Sequence, residues 1–161
     1  MKKYRIRIPL LFAGICLASG AVAGEAPHWG YAGAEGPEHW GELDAKFGLC
    51  ATGRNQSPVN LTDMIEGDLS EIAFHYASGG NEILNNGHTI KVGYAPGSTI
   101  TVSGHAFELK QFHFHSPSEN TIDGKSYPME AHFVHADKDG NLAVVALMFS
   151  EGKSNAELEK A

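Results

Sequence analysis

Basic residues are scarce in this 161-residue chain: 12 Lys and Arg stand against 19 Asp and Glu, for a formal net charge of −7. Such a surface repels phosphate and leaves nucleic acid out as a partner. Long apolar runs are missing too. The run from Ile8 to Ala18 falls short of the roughly 18 residues that a membrane-spanning helix needs. Cysteine is limited to Cys16 and Cys50, so no disulfide framework can be built.

The apolar run makes sense as a leader. Lys2, Lys3, Arg5 and Arg7 precede it, and Ala21-Val22-Ala23 supplies the small-x-small pattern of signal cleavage. Residues 1 to 23 therefore read as an export signal, which predicts a periplasmic or secreted protein with no membrane association after signal removal. Ile15 is a poor lipoprotein-cleavage neighbour for Cys16, so lipidation is not expected. Residues 24 to 161 suit one domain. In an oxidising compartment Cys50 is left as an odd, unpaired thiol.

Histidine, by contrast, is plentiful, with four of the nine between Gln111 and His135. His113 and His115 are two apart, so on a strand both imidazoles point the same way. The Asp123-Gly124 turn folds the chain back and lays Met129 to His135 antiparallel beside them, offering Glu130 and His132 on one face. Three neutral imidazoles form an all-nitrogen site that suits Zn(II) and leaves a fourth tetrahedral position for water. Zinc with neutral ligands lowers the pKa of water from about 15.7 to roughly 7. His28, His39, His75 and His105 have no paired spacing and are not taken as ligands.

QFHFH at 111 to 115, SEN at 118 to 120 and MEAHFVH at 129 to 135 resemble the metal-binding core of the α-class carbonic anhydrases. The likeness extends, in family order, through HWGY at 28, GPEHW at 36, NQSPVN at 55, LNNGHT at 84 and LAVVALMF at 142. It implies a bacterial, exported enzyme of that class, with His113, His115 and His132 on Zn2+ and carbon dioxide and bicarbonate as its substrates. It also implies that His88 of the NNGH turn carries protons to solvent, a task for a group with a pKa near 6.5. By the same likeness, Tyr31 and Asn86 order the active-site water, and Val134 and Val144 line the substrate pocket. Pattern alone makes His88 a turn residue and the two valines sheet core.

Gln111 and Glu130 each sit two residues before a proposed ligand, where they can hydrogen-bond an imidazole and fix its tautomer. The resemblance makes Glu119 the acceptor of a catalytic threonine hydroxyl, yet no threonine follows Thr121. The partner of the cysteine matching Cys50 is also absent. The resemblance thus predicts an incomplete domain lacking its C-terminal part, poorly packed and with little activity.

Gly24 to Asn55 reads as irregular, Ile72 to Tyr76 as a short strand, and Asn85-Asn86-Gly87-His88 as a hairpin turn. Thr99 to Val102 and Phe107 to His115 form a second hairpin about Ser103-Gly104-His105, with Phe107, Leu109, Gln111, His113 and His115 on one face. The apolar run Leu142 to Phe149 reads as a strand buried on both faces, and the Ser154/Glu157 spacing as the start of a helix near Asn155. The fold expected is α+β but predominantly β, one twisted, mostly antiparallel sheet of the carbonic anhydrase type. Two alternatives stand beside it. His113, His115 and Glu119 also have the spacing of the first cupin metal motif, which would make Glu119 a ligand of Fe or Mn. A non-catalytic, carbonic-anhydrase-like zinc-binding fragment is the other.

Overall fold

Nine strands run in chain order through the computed structural model, which describes residues 28–156 and 158–160. They are β1 (Asn60–Leu61), β2 (Ala73–His75), β3 (Gly80–Asn85), β4 (Ile90–Tyr94), β5 (Thr99–Val102), β6 (His105–His115), β7 (Thr121–Ile122), β8 (Met129–Ala136) and β9 (Leu142–Phe149). The proposed export signal and Cys16 lie outside the described residues, as does Glu157.

The eleven-residue β6 is the spine of a seven-stranded sheet in which every pair is antiparallel. Its first half pairs with β5 and its second half with β4, while β8 runs along its other side and β9 lies outside β8. Tight turns set this register. Ser103 and Gly104 close the β5–β6 hairpin with φ of 49° and 81°, and Asp123 and Gly124 turn the chain with φ of 49° and 73°. Positive φ at both central residues matches the twist of adjoining strands.

Register is where the sequence pattern fails. Leu109 pairs with His135 and Gln111 with Val134, so Lys110 is an extra residue on β6. Because side chains alternate with period two, one inserted residue turns everything before it to the opposite face. Phe107 and Leu109 therefore lie on the face away from Gln111, His113 and His115, contrary to the uninterrupted alternation expected. Leu109 is 2% exposed and packs in a core that also contains Ile100, Val92 and Ala131. Leu109, Ile100 and Val92 each stabilise the fold by about 1.5–3 kcal/mol when fully buried.

Other expectations need correction. His105 begins β6 opposite Val102 instead of belonging to the turn. The segment expected to be irregular winds through short helical turns at Gly33–Glu35, Pro37–His39, Trp40–Leu43, Ala45–Phe47 and Gly48–Thr52. Trp40 anchors it by donating from Nε1 to the carbonyls of Gly30 at 2.9 Å and Glu35 at 3.0 Å. β9 forms as expected but is not buried on both faces: Leu142, Val144 and Leu147 are 68%, 52% and 50% exposed, because β8 is its only strand partner among the described residues. After it, a 3-10 turn forms at Leu158–Lys160, with Asn155 Oδ1 accepting from the Leu158 N–H.

Candidate metal centre

Pairing of β6 with β8 places His113 directly opposite His132, and His115 opposite Glu130. One nitrogen from each of His113, His115 and His132 falls within a set whose members all lie within 4.8 Å of one another. Two side chains, Gln111 and Glu130, decide which nitrogens of His113 and His132 those are. His113 Nδ1 is 2.9 Å from Gln111 Oε1, so its Nε2 remains available. His132 Nε2 is 3.2 Å from Glu130 Oε1, which leaves Nδ1. His115 Nε2 is buried and makes no hydrogen bond, although Glu119 Oε2 lies 3.2 Å away. A buried polar atom without a partner carries a cost of about 1–3 kcal/mol unless something binds it. An all-imidazole donor set with such an orphan fits zinc.

The surroundings favour the neutral form of His113 and His115. Burial, followed by the neighbouring His115, His132 and Lys91, pushes His113 down to about 4. Burial also lowers His115, against the pull of Glu119. Desolvation raises the Glu130 carboxyl, but the hydrogen bonds of Asn120 and His132 outweigh it and hold the group below the usual carboxylate range. Glu130 Oε2 accepts from the backbone N–H of Glu119 at 2.9 Å and of Asn120 at 3.0 Å, and Oε1 accepts from Asn120 Nδ2 at 2.7 Å.

Asn120 was not singled out from the sequence. It is buried, and its Oδ1 accepts from the Val59 N–H at 2.7 Å, just before β1 pairs in parallel with β7. Its only sequence signal is its place in Ser118-Glu119-Asn120, whose spacing does not announce this contact.

Two cavities flank the triad. One of about 720 Å3 is lined by His113 and His132 together with Val134, Val144, Leu142 and Ala146. The two valines thus share a wall with the imidazoles, since Val134 pairs with Val144 across β8 and β9. The second, of about 350 Å3, brings together Tyr31, His88, His115 and Glu119. Burial and then the Glu119 carboxylate push the Tyr31 hydroxyl up to about 12.

His88 is half-buried and stacks on Trp29 at 3.8 Å between ring centroids. Thr89 beside it holds the turn to β6, its hydroxyl donating to the Phe114 carbonyl. Asn86 is engaged in the turn itself: Oδ1 accepts from the N–H groups of His88 at 3.0 Å and Thr89 at 2.9 Å. That oxygen is committed, which narrows the water-ordering role expected of Asn86 to its amide N–H groups. Cys50 is an exposed free thiol beside Trp29, Trp40 and Phe47.

A three-histidine metal centre on an antiparallel sheet, locked by a glutamine and a glutamate, defines a mainly β metalloprotein. The profile of the eukaryotic-type carbonic anhydrase family matches residues 35–161, and the chain belongs to that family. It is 45% identical over 159 residues to a carbonic anhydrase of Pectobacterium carotovorum, covering 99% of this chain and 64% of that one. A hyperthermostable carbonic anhydrase from an active hydrothermal vent chimney superposes with a TM-score of 0.81 at 60% identity, covering 83% of this chain and 60% of that one. The α-carbonic anhydrase of Thermovibrio ammonificans, solved with the inhibitor sulfanilamide, gives 0.80 at 49% identity, covering 84% and 61%. The chain thus spans less than two thirds of the length of these relatives. Membership of this family replaces the cupin reading, in which Glu119 would be a ligand of Fe or Mn.

Proposed function

We propose that this site carries out the reversible hydration of carbon dioxide to bicarbonate and a proton, in a protein exported to the periplasm or beyond. The observation that carries the reading is the convergence of three imidazole nitrogens, with the far nitrogens of His113 and His132 tied to Gln111 and Glu130. His113 through Nε2, His115 through Nε2 and His132 through Nδ1 would hold zinc. When bound, zinc supplies the Lewis-acid chemistry that makes water nucleophilic near neutral pH.

The chain's own residues do the rest. Gln111 and Glu130 fix the tautomers, so that lone pairs face one point before any metal arrives. Val134 and Val144 offer carbon dioxide an apolar wall beside the triad. Glu119, next to His115 and under the Tyr31 hydroxyl, polarises that hydroxyl and shapes the hydrogen bonding of water in the second cavity. His88 opens on the same cavity and accepts the proton released in each turnover.

The test combines zinc analysis, stopped-flow carbon dioxide hydration and sulfanilamide binding on the full chain. About one zinc per chain, hydration above the buffer rate and zinc-dependent sulfanilamide binding are expected. The His88→Ala variant should keep zinc, turn over more slowly and recover in imidazole buffer. Stoichiometric zinc in a variant with all three histidines replaced by Ala would overturn the metal assignment. A folded, zinc-loaded chain that hydrates carbon dioxide no faster than buffer would overturn the activity.

A further inference from the structure

In the sequence Lys91 is an ordinary charged residue within Thr89-Ile90-Lys91-Val92. The sheet puts it in the row that carries the triad. Leu84 pairs with Lys91, Lys91 with His113, His113 with His132, and His132 with Ala146, so one line of residues crosses β3, β4, β6, β8 and β9. Residues directly opposite share a face of the sheet. His113 is therefore flanked by His132 on one side and Lys91 on the other, each one strand spacing of about 4.8 Å away. Lys91 is half-buried, and no carboxylate among the described residues forms an ion pair with it. Lys110, the other lysine of these strands, is held by Glu108. Glu82 lies on the face of Lys91, but its carboxylate covers Gly93. After burial and the two neighbouring imidazoles, Lys91 is the next influence that pushes His113 down.

We propose that Lys91 is the anion-attracting residue of this site, drawing bicarbonate to the triad through its unpaired ammonium. This rests on the hydration reading and names the residue that tells its two carbon substrates apart. Carbon dioxide is neutral and meets the apolar wall of Val134 and Val144, whereas bicarbonate carries a charge on which Lys91 acts. A local cation is needed because the rest of the field opposes an anion. Glu119 stands 3.2 Å from His115, Glu130 stands 3.2 Å from His132, and the chain carries a net charge of −7. Lys91 offsets this repulsion from the side of the triad that holds no carboxylate partner. The same charge repels a metal cation, so it strengthens anion binding while it weakens zinc binding. These opposite signs separate an electrostatic role from a structural one.

The test measures azide, a small monovalent anion, by calorimetry on the zinc-loaded full chain, and zinc itself by chelator competition. In Lys91→Gln azide affinity should fall about threefold to tenfold at low ionic strength, and bicarbonate should displace azide less effectively. The difference should close at roughly 1 M salt, where screening acts within about 3 Å. Zinc should bind about threefold to tenfold more tightly to the same variant. Lys91→Arg keeps the charge and should retain the original affinity for both. Unchanged azide affinity in Lys91→Gln would overturn the proposal. So would a parallel loss of azide and zinc affinity in both variants, the mark of a residue that only packs. A zinc-loaded chain that shows the azide difference but hydrates carbon dioxide no faster than buffer would instead overturn the hydration reading and leave the anion site standing.

Discussion

Glu130 Oε1 lies 3.2 Å from His132 Nε2, and the same carboxylate collects three further donors from Glu119 and Asn120. It is fully buried, so its charge is retained only because these donors surround it. Replacement by Gln keeps the shape but presents an N–H where an acceptor is required. Metal affinity should fall about tenfold to hundredfold in chelator competition. Unchanged affinity would show that the His132 tautomer is set by other contacts.

A pH effect should come from the opposite face of the sheet. His135 is 0% exposed, with Nε2 2.7 Å from the Tyr76 hydroxyl and Nδ1 3.2 Å from the Ala143 carbonyl. Burial lowers its pKa below the ordinary 6.5, and hydrogen bonding to the Ala143 and Phe133 carbonyls only partly offsets this. The unfolded chain then binds the proton first as pH falls. The stability associated with neutral His135 is fully present above about 6.5 and is lost as pH drops through the lower folded value. Urea titrations of the metal-free chain at pH 8 and pH 5 should show this loss, with a smaller pH dependence in His135→Gln. Tyr76→Phe should cost about 1 kcal/mol at the higher pH.

The exposed side of β9 carries a different prediction. Leu142, Val144 and Leu147 stand on a strand with one partner among the described residues, a combination that invites edge-to-edge pairing. Sedimentation at micromolar concentration should reveal self-association. Leu147→Lys should reduce it while leaving zinc stoichiometry unchanged, since Leu147 lies on the face away from the triad. A wild-type chain that sediments as a monomer would rule this out.

Gly41 reports on the packing of the segment that carries Trp29 and Tyr31. A Cβ there would lie 2.5 Å from Ala51 Cβ and 2.9 Å from its backbone nitrogen. Gly41→Ala should therefore destabilise the chain by about 1–3 kcal/mol, with a loss of tryptophan signal from the Trp29–Trp40 contact at 5.4 Å. A change below about 0.5 kcal/mol would mean that the two helical turns separate freely.

His113-x-His115, the Asp123-Gly124 turn and Glu130-x-His132 were legible because each depends on local rules: strand alternation, positive φ at a turn, and alternation again. The same rules predicted the Leu142–Phe149 strand but not its exposure, because burial depends on what packs against a strand. Period two also misplaced Phe107 and Leu109, since the extra residue at Lys110 is visible only against the register of β8. By itself, then, the sequence determined which three histidines converge, their Gln111 and Glu130 contacts and the family pattern, all of which lie within short stretches or repeat known motifs. Tertiary structure alone decided that Asn120, held by the Val59 N–H, should brace Glu130, and that His28, 60 residues before His88, should stand beside it. These contacts arise from the paths of β1, β7 and the helical-turn segment across the sheet, and no local periodicity encodes a distance between chain segments so far apart.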